Sequence, residues 1–399
     1  MIEIKKFGDF ASFKYGKMPN KKKVTDTGIY PIYSGYRYVG YYDEFNIEAN
    51  KLIIVARGVG GTGDVKLTKE RCFLTNLSIS ADIDENIALP EYLYYYYLPR
   101  NLRYLDTGSA QSQITIYDLE KVMIPLPSIE TQKKIISILK PIDDKIKLNT
   151  RINENLELQA QAIFKNWFVD FAPFGGKMPS DWKESSLADI AEFINGYSYT
   201  SNELKESKLA MATIKNFDRN GGFKIDGYKE LIPTKKIKPD QYIKLFDIIV
   251  AHTDLTQKAE IAGNAEIVLS KSKYEDIICS MDIVKVKPKY NISNFLIMQF
   301  LKDSNFKTHC LKYVNGTTVL HLSKKALPEY KICLPSDLSI LYPVVKIFSE
   351  YYNLIANNTL ENERLADLRD TLLPRLMSGE LDVSNVKLKF QSNSHLLPY

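Results

Sequence analysis

Cysteine is scarce in this sequence. The four residues (Cys72, Cys279, Cys310 and Cys333) are scattered, and no two are spaced as C-x-x-C. That distribution suggests neither a thiolate zinc site nor a disulfide framework. Histidine is as sparse, with four residues and no H-E-x-x-H pair, so the commonest zinc-hydrolase signature is missing too. The phosphate loop G-x-x-x-x-G-K-[ST], the nucleophile elbow G-x-S-x-G and an Asn-Pro-Pro-aromatic element are all absent. No apolar run approaches the roughly 20 residues that span a bilayer. The opening MIEIKKFGDF has no apolar core of signal-peptide length. A cytoplasmic location, no membrane contact, no metal ligand and no catalytic residue on this chain are the expectations.

What is present is an ordinary globular composition, 45% hydrophobic and 25% charged, in a chain long enough for two or three domains. The net charge of +5 is unevenly spread. Residues 172–335 carry 24 basic against 19 acidic side chains, whereas residues 1–127 carry 16 against 15. A basic segment of this size suits a polyanionic partner.

The sequence also repeats itself. FGDFASFKYG (7–16) aligns without gaps on LADIAEFING (187–196), so that Asp9 meets Asp189, Phe13 meets Phe193 and Gly16 meets Gly196. KLIIVAR (51–57) lines up with FDIIVAH (246–252), and EYLYYYYL (91–98) with NFLIMQFL (294–301). GSAQSQITIYDLEKVMIPLPS (108–128) matches GTTVLHLSKKALPEYKICLPS (316–336). Each Leu-Pro-Ser leads into a long helical stretch, where NTRINENL (149–156) matches NTLENERL (358–365). Five matches in one order argue for duplication of a whole unit of about 200 residues, not for a short-repeat solenoid. The implied domains are 1–127 (globular), 128–171 (helical), 172–181 (linker), 182–335 (globular), 336–380 (helical) and 381–399 (tail).

Ser128 and Ser336 are the expected N-caps of the helices. Pro141 predicts a break, giving a short helix near 129–139 and a longer one near 142–170. From Ile142 the heptad rows read Ile142, Asn149, Leu156, Ile163 and Ile146, Asn153, Ala160, Trp167. The second copy reads Tyr351, Asn358, Leu365, Leu372 and Ile355, Asn362, Arg369, Leu376. This is coiled-coil spacing with two Asn, one turn apart, in each copy. The fold class expected is α+β: two similar domains alternating with two long helices that pair as an antiparallel coiled coil with pseudo-two-fold symmetry. A helix of about 27 residues, roughly 40 Å long, would hold the globular parts about one turn of B-DNA apart.

One stretch imitates a cofactor site. KLIIVARGVGGTGDV (51–65) contains Gly58-x-Gly60-x-x-Gly63, the spacing of a dinucleotide-binding turn. That turn needs a helix directly after the glycines. Here Val65 and Leu67 alternate as in a strand, and the matching stretch of the second copy lacks the glycines. A hairpin loop is expected.

In sum the chain resembles the specificity subunits of type I restriction–modification systems. The resemblance runs over nearly its whole length and rests on the order of elements. Each variable domain opens with "FGDF…YG" or "LADI…NG" and closes on Gly-Ser/Thr…Leu-Pro-Ser, and a long helical region follows. The first helical region has the more typical start, with Gln132 in P-x-x-E-T-Q, while the second lacks that Gln and has Pro343 inside. The resemblance implies that each domain reads half of a bipartite duplex DNA target and that the helices set the gap. It implies two methylation subunits carrying S-adenosylmethionine, and restriction/translocation subunits using ATP and Mg²⁺. The alternative from another class is a non-catalytic coiled-coil scaffold presenting two protein-binding domains.

Base edges are read by polar and basic side chains on loops. In the first domain the candidates are Lys21, Lys22, Lys23, Tyr36, Arg37, Arg57, Thr62, Gln111 and Gln113. In the second they are Tyr197, Tyr199, Lys215, Asn216, Arg219, Asn220, His252, Thr253, Gln257, Lys258, Thr317, Thr318 and His321. Arg57 and His252 hold matching positions at the mouth of the same loop. The four tyrosines at 94–97 are expected to form a buried helix face.

Overall fold

The computed structural model describes residues 2–35, 37–58, 61–106, 113–219, 221–256, 258–290 and 292–388. The chain divides into two compact units, one of residues 1–144 with 365–399 and one of residues 145–364. Each unit contains one globular domain and a half of each long helix.

The fold is α+β, and the two domains repeat one topology. In the first, a four-stranded antiparallel sheet runs in the spatial order Ala11–Tyr15, Ser78–Ile83, Leu52–Val55, Val65–Leu67. In the second the order is Ala191–Asn195, Ile283–Pro288, Ile248–Ala251, Ala265–Ile267. A smaller sheet with one parallel pairing accompanies each: Tyr30–Ser34 beside Phe73–Leu74, and Leu209–Ala212 beside Asp276–Cys279. A two-stranded ribbon closes each domain, Glu3–Lys6 with Met123–Leu126 and Trp182–Ser186 with Lys331–Pro335.

The aligned residues have a physical role. Asp9 accepts from the Lys6 N–H (3.2 Å), and Asp189 accepts from the Ser186 N–H (2.7 Å), each opening a short helical turn at the end of the ribbon. Gly16 and Gly196 are required by close backbone approach. A Cβ on Gly16 would lie 2.3 Å from the Leu74 and Thr75 carbonyl oxygens, and one on Gly196 would lie 2.0 Å from that of Ser280. These contacts place Leu74 and Thr75 in register with Cys279 and Ser280.

The tyrosine run forms the helix Pro90–Tyr97, with Tyr92, Tyr95 and Tyr97 in the core of the first unit. Pro141 does not break the first long helix. That helix runs unbroken over Ile129–Phe164, and a π-helical turn at Lys165–Val169 extends it. Pro141 and Ser137 are both exposed, so the carbonyl that proline leaves unpaired stays open to water. Packing of Leu139 into the core holds the helix across that point. The linker folds back on the helix end, where Phe171 and Phe174 pack edge-on against Trp182.

Ser128 caps the first helix by accepting from the Thr131 N–H (3.3 Å). Ser336 does not cap the second. Its hydroxyl donates to the Asp181 carbonyl, and Asp337 caps the turn Leu338–Leu341 that precedes the helix Tyr342–Ser378. Pro343 falls in the first turn of that helix, where its missing N–H costs nothing. Gln132 is fully buried and makes three hydrogen bonds. It accepts from the Leu89 N–H (2.9 Å) and donates to the carbonyls of Ile87 (3.0 Å) and Pro127 (2.9 Å). The first helix is thereby bonded to the loop before Pro90.

Within each unit the helix halves pair antiparallel. In the second unit Asn149 donates to Glu361 (2.8 Å) and Asn362 (2.9 Å), Asn358 donates to Asn153 (2.8 Å), and Tyr351 donates to Gln159 (3.0 Å). Asn149 is fully buried. Leu156, Ile163, Trp167 and Ile355 join the core of this unit. In the first unit Asp143 pairs with Arg369 (3.0 Å), and Leu372 and Leu376 join the core. Ile142, Ile146 and Leu365 are half-buried. No helix among the described residues is long and apolar enough to cross a membrane.

Candidate nucleic-acid interface

The glycine-bearing loop joins the antiparallel strands Leu52–Val55 and Val65–Leu67. Gly63 has φ +92°, and a Cβ there would lie 2.3 Å from the Arg103 backbone nitrogen. The glycine serves a close approach of two backbones. A strand follows it, so no helix N-terminus meets this turn.

At the mouth of the hairpin the Arg57 N–H donates to the Leu77 carbonyl (3.0 Å). In the second domain the His252 N–H donates to the Asp282 carbonyl (2.9 Å). By the register set at Gly16 and Gly196, Leu77 and Asp282 are counterparts, so Arg57 and His252 share one backbone position. Both side chains are half-buried. Burial pushes the His252 imidazole below its ordinary pKa, and His321 and Lys324 add to the shift.

In the second domain two further candidates meet on one small sheet and two more lie at its tip. Thr253–Asp254 pairs with Leu320–Leu322, which pairs with Val314–Asn315. His321 lies opposite Thr253 and is exposed. Gly316, at φ +129°, turns the chain so that Thr317 and Thr318 are exposed at the tip.

Two residues that the sequence reading passed over hold the adjoining loop. Asp254 is 1% exposed and accepts from Thr256 (N–H 2.7 Å, hydroxyl 2.8 Å), Ile261 (2.6 Å) and Ala262 (3.2 Å). Burial raises its carboxyl pKa, but these hydrogen bonds outweigh burial and hold it below the ordinary range. From the other side Lys307 donates to the carbonyls of Ala259, Glu260 and Ala262 and to Asn264 Oδ1. The loop presents Lys258 to solvent. Asp254-x-Thr256 carried a local signal, the Asx-turn chemistry of Asp two residues before a donor. Lys307, far along the chain, carried none.

Four candidates are corrected. Tyr197 is 3% exposed, and its hydroxyl donates to the buried Glu203 carboxylate (2.5 Å). That bond, with others from Thr234 and Thr200, holds the carboxyl far below its ordinary pKa. Asn216 is fully buried, accepting from the Thr213 N–H and donating to the Lys224 carbonyl. Thr253 is buried and bonded to Asp282, and Thr62 is buried and donates to the Gly58 carbonyl. All four side chains build the loops from inside.

Lys21, Lys22 and Lys23 are exposed on a 3-10 turn capped by Asn20. Arg37, Lys215 and Arg219 are exposed, the last paired with Glu260 (3.4 Å). Tyr199 and Gln113 are half-buried. Tyr36, Gln111, Asn220 and Gln257 lie outside the described residues. Among the described residues no group of three or more His, Cys, Asp or Glu side chains is placed to hold a metal ion.

Residues 2–158 and 179–367 match the family described as "Type I restriction modification DNA specificity domain". Among curated relatives, the HindI type I restriction enzyme specificity subunit of Haemophilus influenzae is 28% identical over 360 residues, covering 74% of this chain and 78% of the relative. The MjaIX specificity subunit of Methanocaldococcus jannaschii is 26% identical over 329 residues, covering 78% and 74%. A solved S subunit of a type I system from M. genitalium shares the fold, with a TM-score of 0.59 at 19% identity, over 94% of this chain and 96% of that one.

Proposed function

Because the chain belongs to the type I restriction–modification DNA specificity family, we propose that it is the specificity subunit of such a complex and binds a bipartite duplex DNA sequence. Each globular domain reads one half, and the helix pair sets the gap. The subunit recruits methylation and restriction subunits and contributes specificity and assembly, not chemistry. Two methylation subunits dock on the helical regions and carry S-adenosylmethionine. Restriction/translocation subunits carry ATP and Mg²⁺.

The observation that carries this reading is the repetition of one reader position. Arg57 and His252 sit at the same backbone site of the same hairpin in two domains of equal topology, with different side chains. A duplicated scaffold with unlike readers is what an asymmetric two-part target requires. The exposed lysines and arginines around those loops supply phosphate contacts that fix register without reading sequence.

The test is salt-dependent binding of the chain assembled with its methylation subunits. With roughly six to ten phosphate contacts, affinity for target duplex is expected to fall by about 10³- to 10⁵-fold between roughly 50 and 200 mM salt. A protein-presenting scaffold would show no duplex binding at either salt concentration, and that result would sink the proposal.

A further inference from the structure

The mouth of the first hairpin holds a cluster of unpaired polar atoms. Arg57 Nε is buried and has no acceptor, and its guanidinium has no ion-pair or hydrogen-bond partner among the described residues. The N–H groups of Ala56 and Arg57 both bond to the Leu77 carbonyl (2.9 and 3.0 Å). The residues flanking Leu77 carry two more orphans, Asn76 Oδ1 and Ser78 Oγ. Three of the unpaired buried side-chain atoms among the described residues therefore belong to Arg57 and to the two chain neighbours of the residue it bonds. Native interiors rarely leave such groups unsatisfied, and a cluster of them calls for a ligand or bound water.

The second domain resembles the first only in part. His252 makes no side-chain hydrogen bond among the described residues, and Ser280 Oγ, two residues before Asp282 in sequence, is unpaired. Elsewhere the two loops are held firmly, by Gly63 against Arg103 in one and by Asp254 and Lys307 in the other. Among the described residues of these loops, the unpaired side-chain atoms belong to Arg57 or to residues within two positions of the backbone partners of Arg57 and His252.

Resting on the DNA-reading role above, we infer that this position is the base-reading site of each domain and that Arg57 takes the O6/N7 edge of a guanine in the major groove. The chemistry selects the ligand. A guanidinium offers only donors in a planar fork, so it needs two acceptors side by side. In the major groove only guanine presents two on one base. A phosphate also offers acceptors, but the unpaired Asn76 Oδ1, one residue from the carbonyl that Arg57 bonds, is itself an acceptor and would face phosphate oxygens unfavourably. It suits the N4 amino group of the cytosine in the same pair. His252 presents a single imidazole, which cannot grip two adjacent acceptors as a fork does. The second half-site therefore carries no such guanine requirement at the matching position.

The test uses the full chain assembled with its methylation subunits and a target randomised one base pair at a time. Arg57→Ala and Arg57→Lys are both expected to lose roughly 10- to 100-fold discrimination for guanine at one position of one half-site. The other half-site should be untouched. Lysine keeps the charge, so a phosphate contact would survive in that variant while the two-pronged base contact would not. His252→Arg is expected to gain a guanine preference in the other half. The inference is overturned if Arg57→Ala weakens all sequences equally or leaves every preference intact. If the unaltered complex selects no bipartite sequence at all, the proposed function fails first.

Discussion

Asp143→Ala is expected to destabilise the first unit by about 1–3 kcal/mol, the cost of leaving the buried Tyr95 hydroxyl unpaired, while Arg369, partly exposed, keeps Asp370 as a partner. Asp143 lies on the first long helix and is 8% exposed. Its two oxygens are both engaged. One accepts from Arg369 Nη1 of the second helix (3.0 Å), the other from the Tyr95 hydroxyl of the domain (2.8 Å). Burial, and then the adjacent carboxylate, push the Tyr95 phenol well above its ordinary range, so it remains the donor. One side chain therefore ties the globular domain to both helices within that unit. Replacing Asp143, Arg369 and Tyr95 together by Leu, Met and Phe should recover most of the loss, because an apolar set of similar volume carries no desolvation penalty. Urea unfolding midpoints of the single and triple variants provide the check. A loss under about 1 kcal/mol for Asp143→Ala would mean that the pair is solvated and structurally idle.

Gly196→Ala comes next, with an expected loss of at least about 3 kcal/mol, in the range reserved for core disruption. Its Cβ would lie 2.0 Å from the Ser280 oxygen and 2.5 Å from that of Cys279. Both obstacles are backbone atoms in a register that Tyr197 and Ser280 fix, so neither can swing aside. The strands Ala191–Asn195 and Ile283–Pro288 would have to part. Gly16→Ala should do the same in the first domain, where the obstacles are the Leu74 and Thr75 oxygens. Gly61→Ala, whose Cβ meets only ordinary contacts beyond 3.8 Å, should stay within about 0.5 kcal/mol and serves as the control. Hydrogen exchange should localise each loss to the domain that carries the substitution. Matching, modest losses from both glycines would mean that the shared motif reflects ancestry without a packing role.

The duplicated architecture was legible because the repeats fall on residues with backbone duties. Asp9 and Asp189 cap turns, Gly16 and Gly196 admit a crossing chain, and the paired Asn residues bond across the helices. Such duties depend on nearby sequence and leave a spaced signature. Pro141 misled because a proline's effect depends on which face it occupies, and that is set by packing, which the local sequence does not encode. Ser336 misled for a related reason: Asp337 beside it competes for the same capping role and wins. The reader loops were legible in position and only partly in content. Tyr197, Asn216, Thr253 and Thr62 have the residue types of base readers, yet they satisfy buried backbone and side-chain groups. Thr253 points inward to Asp282, distant in sequence, while Tyr197, Asn216 and Thr62 find nearby partners whose residue types follow no recognisable spacing.

The central claim is that two independent readers share one helical frame. Exchange of residues 1–127 for the matching domain of a relative, followed by mapping of methylated sequences in cells that also make the methylation subunit, addresses it directly. One half of the recognised sequence should change while the other half and the intervening gap persist. A change in both halves, or in the gap alone, would contradict the account.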